Sequence, residues 1–391
     1  MDVPAKEVAV ENYLVRCAKL QLLMAEQGVD CFLASPSSDM LYLSGCPLKP
    51  GSRMAVLAVP QGGSPVFIVS SLEAPNLAGL GSAFDVRPWA DPNDPVGLLK
   101  DFIGDRGNLT FAISDQLWAT YLLQIQGRFS EARFIPGSRL LHEMRIIKGP
   151  EELDLLAKVS AMADSVFQKV TSLKIEGLTE AQLETQLGIL MLEEGLESLD
   201  FRIIASGENG AAPHHFSGDR RIGWGDPVVM DFGGTYRGYY SDTTRTVCAG
   251  DASTEFRTVY EVVRRAQEAG IAAAQPGVPA SAVDFAARSI IEEAGYGNYF
   301  IHGTGHGIGL DVHEDPPVNK NSTTVLEPGM AFTVEPGVYL PGRFGVRIED
   351  VVVMTPQGAK RLNQSTKELI QLRIWNAQVL WVPRKSGSPK I

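Results

Sequence analysis

The chain has 391 residues, 44% hydrophobic and 21% charged, long enough to bury a large core and to form about two domains. Against 46 acidic residues stand 35 Lys and Arg, a net charge of −11; this argues against nucleic acid as a partner, because polyanion binding needs concentrated positive charge. The N-terminal MDVPAKEVAVENY has no apolar signal core, no apolar run reaches membrane-spanning length, and Cys17, Cys31, Cys46 and Cys248 form no CxxC pair. A cytoplasmic protein with reduced thiols and no membrane partner is expected.

From Glu11 to Gly28 apolar residues recur at helical spacing, with Gly28 placed to end the helix. Cys31–Ala34 is a short apolar strand, and Ala55–Val59 and Val66–Val69 are strands around the turn PQGGSP. Strands at Leu109–Ile113 and Arg133–Ile135 flank a helix over Gln116–Gln124. This alternation predicts an α/β domain over 1–145, and LHEMRIIKGP then breaks the pattern. After Pro150 an apolar stripe predicts a helix with Glu151 and Glu152 in its first turn, where they complement the helix dipole. Thr179 and Gln182, spaced as a capping box, open the next helix, which stops near Gly195.

Beyond it the pattern predicts a strand at Phe201–Ala205 and a hairpin of Pro227–Asp231 with Tyr239–Val247. Helices follow over Thr254–Ala274 and Ala280–Ala294, split by QPGVP, and a second hairpin pairs Ala331–Val334 with Val346–Met354. Residues 146–372 are therefore expected to be an α+β domain, with a polar tail at 373–391.

Chemistry concentrates in three places. Phe300–Glu314, FIHGTGHGIGLDVHE, holds His302, His306 and His313 among glycines at every second position, which lets a ligand or another strand approach the backbone. The first hairpin carries Asp231 and Asp242, the second Glu335 and Glu349, each set in apolar strand where an unpaired charge is costly. Four carboxylates and an imidazole suit Mn(II), with Mg(II), Co(II) or Zn(II) as alternatives. Two ions about 3.5–4 Å apart balance four carboxylates better than one. GxGxxG, GxxxxGK, GxSxG and HExxH are all absent, which removes dinucleotide, P-loop, α/β-hydrolase and zincin readings.

The fragments NGAAPHH, VVMDFGG, YYSDTTRT, HGTGHGIGLDVHE, FTVEPGVY and GVRIED together resemble the pita-bread metallopeptidases, the family of prolidase, aminopeptidase P and methionine aminopeptidase. The junction IKGPEEL behind an N-terminal domain is similar to the Xaa-Pro branch. The resemblance implies a pita-bread (creatinase/aminopeptidase-like) catalytic domain, a homodimer, and two-metal hydrolysis of Xaa-Pro bonds in short proline-containing peptides. It implies that Asp231 chelates one ion, that His306 and Glu335 bind the other, and that Asp242 and Glu349 bridge them. Glu335 would handle the proton, His313 would steady the scissile amide, and His214 would contact substrate. His302 would line the substrate pocket or support it. Arg347 would tether the carboxylates or the substrate, or hold Glu349 by a salt bridge; Tyr240 and Arg245 would be supporting groups.

The alternating glycines are expected to leave room for a peptide beside the ions. A compact chain without large insertions favours a dipeptidase over an aminopeptidase. A creatinase-like amidinohydrolase, a lyase, or a non-catalytic binding protein of the same fold are the alternatives. Creatinase and the binding proteins lack ligands that this chain keeps.

Overall fold

A computed structural model of the chain describes residues 4–104 and 107–372; the expected polar tail at 373–391 lies outside them. The N-terminal part runs α1 (Pro4–Gln27), β1 (Cys31–Ala34), α2 (Ser38–Ser44), β2 (Val56–Pro60), β3 (Val66–Ser70), β4 (Asp85–Trp89), α3 (Pro95–Ile103), β5 (Thr110–Ile113), α4 (Ala119–Arg128), β6 (Arg133–Pro136) and α5 (Ser138–Arg145). The strands form a mixed sheet in the order β4-β3-β2-β1-β5-β6. Side chains alternate across a strand, so Phe32 and Ala34 of β1 pack with Leu20 and Met24 of α1 while Cys31 and Leu33 pack with Leu99 of α3 and Ile125 of α4. Cover on both faces explains why β1 is a continuous apolar run. All four cysteines are buried, and none forms a disulfide among the described residues.

Several elements here were not expected from the sequence. α3 is capped by Asp94, whose side chain accepts from Val96 N, with Pro95 in the first helical position. α5 continues to Arg145, through the first half of the segment read as a break. Its amphipathic surface buries Leu140, Leu141 and Met144.

The second part runs α6 (Pro150–Val170), α7 (Glu180–Glu193), β7 (Phe201–Ser206), β8 (Asp226–Gly233), β9 (Thr235–Tyr236), β10 (Tyr239–Tyr240), β11 (Thr243–Ala249), α8 (Thr254–Ala273), α9 (Ser281–Glu293), β12 (Gly305–Gly307), β13 (Glu314–Val318), β14 (Ala331–Val334), β15 (Gly337–Leu340), β16 (Phe344–Arg347), β17 (Asp350–Thr355) and β18 (Gly358–Arg361). One antiparallel sheet has the order β11-β8-β7, the other β13-β12-β14-β17-β18. α6 and α7 cover the first sheet through Val159, Leu183 and Leu187 against Val228 and Met230. α8 and α9 cover the second sheet through Ile271 and Val283 against Phe332 and Val352. The expected capping box is present, with Thr179 and Gln182 bonding each other's backbone N–H. Among the described residues no helix is long and apolar enough to cross a membrane.

The second hairpin differs from the sequence reading. The run expected as one strand from Val346 to Met354 breaks at Ile348–Glu349, where the chain leaves β16, paired with β15, and enters β17, paired with β14. Each long hairpin therefore ends in a smaller one, β9–β10 or β15–β16. The two sheets meet where Glu349 N donates to Thr244 O at 3.0 Å and Thr246 Oγ1 donates to Arg347 O at 2.9 Å.

Candidate active site

The acids stand at this seam. Asp231 lies in β8 opposite Thr244, Asp242 immediately precedes β11, Glu335 immediately follows β14, and Glu349 immediately precedes β17. His306 lies in β12, between β13 and β14. The alternating glycines serve that crowding. A Cβ on Gly305 would meet Thr333 O at 2.0 Å, and one on Gly307 would meet the Asp315 carbonyl at 2.2 Å. The space expected for a peptide is instead filled at these two positions by the neighbouring strands.

Ligand atoms of Asp242, His306 and Glu349 lie within 4.8 Å of one another. His306 Nε2 is 3.2 Å from Glu335 Oε1 and 3.5 Å from Asp242 Oδ2. Its Nδ1 is 3.0 Å from Gly307 O; a carbonyl only accepts, so Nδ1 carries a proton, and Nε2, which faces the Glu335 carboxylate, is the nitrogen that would give up its own proton to a metal ion. Asp231 Oδ1 and Glu349 Oε1 are buried and, among the described residues, have no hydrogen-bond partner.

Burial, followed by Glu349, Asp231 and Glu335, raises the pKa of Asp242 well above the usual carboxylate range. Burial and then Glu335 and Asp231 do the same to Glu349. Burial also opposes charge on Glu335, but its hydrogen bond with His306 outweighs this and lowers it to about 2. Crowded buried acids, two unpartnered oxygens and a presented imidazole nitrogen fit divalent cations.

Arg347 crosses the seam. Its Nη2 reaches Asp231 Oδ2 at 2.5 Å, its Nε donates to Thr244 Oγ1 at 3.0 Å, and its Nη1 donates to Tyr339 Oη at 2.8 Å. Of the partners considered from sequence, the ion pair is with Asp231 rather than Glu349, which instead accepts from Thr244 Oγ1 at 2.7 Å. Tyr339 Oη is 2.8 Å from His302 Nε2, and His302 Nδ1 is 2.7 Å from Gly303 O. By the same reasoning Nδ1 is protonated and Nε2 accepts from the tyrosine. Burial lowers the His302 pKa, which keeps that neutral form. Both ring nitrogens are thus engaged by the protein, which favours the supporting role over direct substrate contact. Arg245 also supports the seam, its Nη2 donating to buried Asp350 Oδ1 at 2.6 Å.

His214, His302, His306, His313, Arg347 and the four acids line one cavity of about 920 Å³. The His313 ring is 4.1 Å from that of His306, centroid to centroid, and burial and then His306 lower its pKa. The loop bearing His313 is held from the N-terminal domain. Arg145 Nη2 donates to Asp311 Oδ2 at 2.8 Å and Glu314 Oε2 at 2.5 Å, its Nη1 donates to Asp39 Oδ1 at 3.2 Å, and Lys148 Nζ donates to Glu314 Oε1 at 2.6 Å. His142, unassigned from sequence, pairs with Asp315 in the same region.

The His214 loop has its own anchor, fully buried Glu180 at the start of α7. Glu180 accepts from Ser206 N at 2.7 Å, Ser206 Oγ at 2.7 Å, Asn209 Nδ2 at 3.0 Å and Gly218 N at 3.2 Å, and lies 2.8 Å from His215 Nε2. His215 therefore fastens the loop that presents its neighbour. Glu180→Ala strands these donors, at about 1–3 kcal/mol for each that stays buried. It is expected to lower the Tm by roughly 4 °C or more, measured by calorimetry against the wild type. Thr244, Tyr339, Arg145 and Glu180 carried no expectation from sequence, although Thr244 and Tyr339 lie inside the quoted fragments.

Residues 154–356 match the model for metallopeptidase family M24, and residues 16–147 match the creatinase/prolidase N-terminal domain. A probable dipeptidase, PepE, of Mycobacterium tuberculosis is 38% identical over 92% of this chain and 96% of its own. The Xaa-Pro dipeptidase of Pyrococcus furiosus is 35% identical over 91% of this chain and 99% of its own. The crystal structure of a recombinant prolidase from Thermococcus sibiricus superposes with a TM-score of 0.88 at 37% identity, covering 92% of this chain and 99% of that one. With its acidic seam, its glycine–histidine strand and both family matches, this chain belongs to metallopeptidase family M24, in the two-domain pita-bread form that carries a creatinase/prolidase N-terminal domain.

Proposed function

We propose that the protein hydrolyses Xaa-Pro dipeptides with two divalent ions held by Asp231, Asp242, His306, Glu335 and Glu349. The carrying observation is that all five donors surround one cavity, with unpartnered oxygens on Asp231 and Glu349. Relatives named Xaa-Pro dipeptidase support the substrate. Oxygen-rich ligation with one imidazole favours Mn(II), with Co(II) or Zn(II) as alternatives. The cytoplasmic address and the homodimer rest on the sequence reading and the family resemblance.

Bound ions supply Lewis acidity that lowers the pKa of water and polarises a carbonyl. Asp231 and Asp242 hold them from one sheet, His306, Glu335 and Glu349 from the other. Glu335 Oε1 takes a proton from the attacking water and delivers it to the leaving proline nitrogen, which has no hydrogen of its own in the peptide. His313 and His214 direct ring N–H groups at the amide oxygen as its charge grows. Arg347 and His302 shape the wall, Arg347 by fixing Asp231 and His302 by its bond to Tyr339.

Protein loaded with Mn(II) is expected to release proline from Ala-Pro, to act at least about 10-fold less well on Ala-Pro-Ala, a difference of about 1.4 kcal/mol in transition-state binding, and to leave creatine intact. Proline release followed by chromatography tests this. Inactivity toward every Xaa-Pro dipeptide overturns the proposal, and preference for the tripeptide overturns its dipeptidase part.

A further inference from the structure

One wall of the cavity has no part in the ligand set. Asp200, exposed at the mouth of β7, lines the cavity together with Phe201, Ile203 and Tyr240. Its carboxylate accepts a hydrogen bond from Ser198 Oγ, and Ser198 Oγ is in turn 2.8 Å from Thr235 Oγ1 at the start of β9. The Tyr240 hydroxyl stands against the same carboxylate. Among the described residues no Lys or Arg is ion-paired with Asp200. The carboxylate is therefore held in place, faces the cavity and lacks a cationic partner there.

Its distance from the acids selects what can reach it. Ile203 pairs with Asp231 across β7 and β8, and Asp200 precedes it by three residues, about 10 Å along the strand. The α-ammonium of a dipeptide is two bonds from the scissile carbonyl and falls well short. An extended Lys or Arg side chain spans about 6–7 Å from its Cα, and its apolar stem can lie on Phe201, Ile203 and Tyr240 with the charged head beyond. Glu335 follows β14, opposite the β7–β8 sheet; with its proton delivered to the leaving nitrogen as proposed above, the residue before the proline would extend toward β7 and β8.

We propose that Asp200 is a specificity-determining residue that selects Lys or Arg before the proline, its carboxylate receiving the cationic head. This rests on the Xaa-Pro reading above and adds the side chain which that reading leaves open. The partner is exposed to solvent, so the selection is of limited size and weakens as salt screens it.

The test compares kcat/KM for Lys-Pro, Arg-Pro, Leu-Pro and Glu-Pro with Mn(II)-loaded wild type, Asp200→Asn and Asp200→Lys, at low and high salt. The wild type is expected to prefer Lys-Pro and Arg-Pro over Leu-Pro by about 3- to 10-fold, with most of the difference in KM. Asp200→Asn brings that ratio close to one, and Asp200→Lys shifts preference to Glu-Pro. The ratio is internal to each preparation, so partial misfolding does not change it. A wild-type ratio near one, or a ratio unchanged in Asp200→Asn, overturns the assignment of Asp200 while Leu-Pro cleavage upholds the Xaa-Pro reading. Absence of cleavage of all four dipeptides overturns both.

Discussion

Replacing Glu335 by Gln is expected to lower kcat by at least about 100-fold while the protein still binds its metal. Glutamine keeps the shape of the side chain and an oxygen near His306, yet it cannot accept a proton from water and return it to the leaving nitrogen. The setting of Glu335 suits that duty. Its Oε1 is 3.2 Å from both His306 Nε2 and Thr333 Oγ1, which holds the carboxylate beside the imidazole that would take the metal. KM for Ala-Pro should move little, since the loss falls on proton transfer rather than on binding. Metal content by emission spectroscopy, measured beside turnover, separates the two effects. Near-normal kcat in a variant with full metal content would remove Glu335 from the chemistry.

Chelation is the second large effect. Dialysis against a chelator is expected to reduce activity by more than about 1,000-fold, because water then keeps its ordinary pKa, and Mn(II) should restore it. The same treatment should lower thermal stability. Asp231 and Asp242 come from one sheet and Glu335 and Glu349 from the other, so ions here oppose the repulsion of carboxylates that cross the seam. Burial and mutual repulsion already raise Asp242 and Glu349 well above their usual range. Metal at about 100 times its Kd contributes about 2.7 kcal/mol to folding, which corresponds to a Tm change of several degrees at about 2–4 °C per kcal/mol. Full activity in chelated protein shown to be metal-free would refute the metal-dependent reading.

The site was legible where one residue type had to stand in an unfriendly place. Asp231, Asp242, Glu335 and Glu349 stood out because carboxylates are costly in apolar strand, and His306 because glycines surround it. β1 was legible as CFLA, and α7 from its capping box. The boundaries failed for physical reasons. GVRIEDVVVM has strand character throughout, so nothing local marks Ile348–Glu349, where the chain changes partners. Thr244 and Tyr339 are ordinary β-formers, and their roles arise only when Arg347 reaches Thr244 across 103 residues of sequence and Tyr339 across eight. Glu180 resembled any first-turn acid until the fold brought five donor groups around it. Of the two neighbours the glycines could admit, a ligand or another strand, Gly305 and Gly307 admit strands rather than the expected peptide, a distinction sequence spacing alone cannot make.

Arg145 bears on how such a protein could be rebuilt. It ends α5 in the N-terminal domain, yet two of its three acidic partners, Asp311 and Glu314, flank His313 in the catalytic domain, and Lys148 shares Glu314. Burial leaves these charges little freedom to separate, so the angle between the domains and the placement of His313 form a single mechanical variable. The natural unit for grafting one N-terminal domain in place of another is therefore not the first 145 residues alone. It includes Lys148, Asp311 and Glu314, which must travel with the graft or be matched by it for His313 to keep its aim.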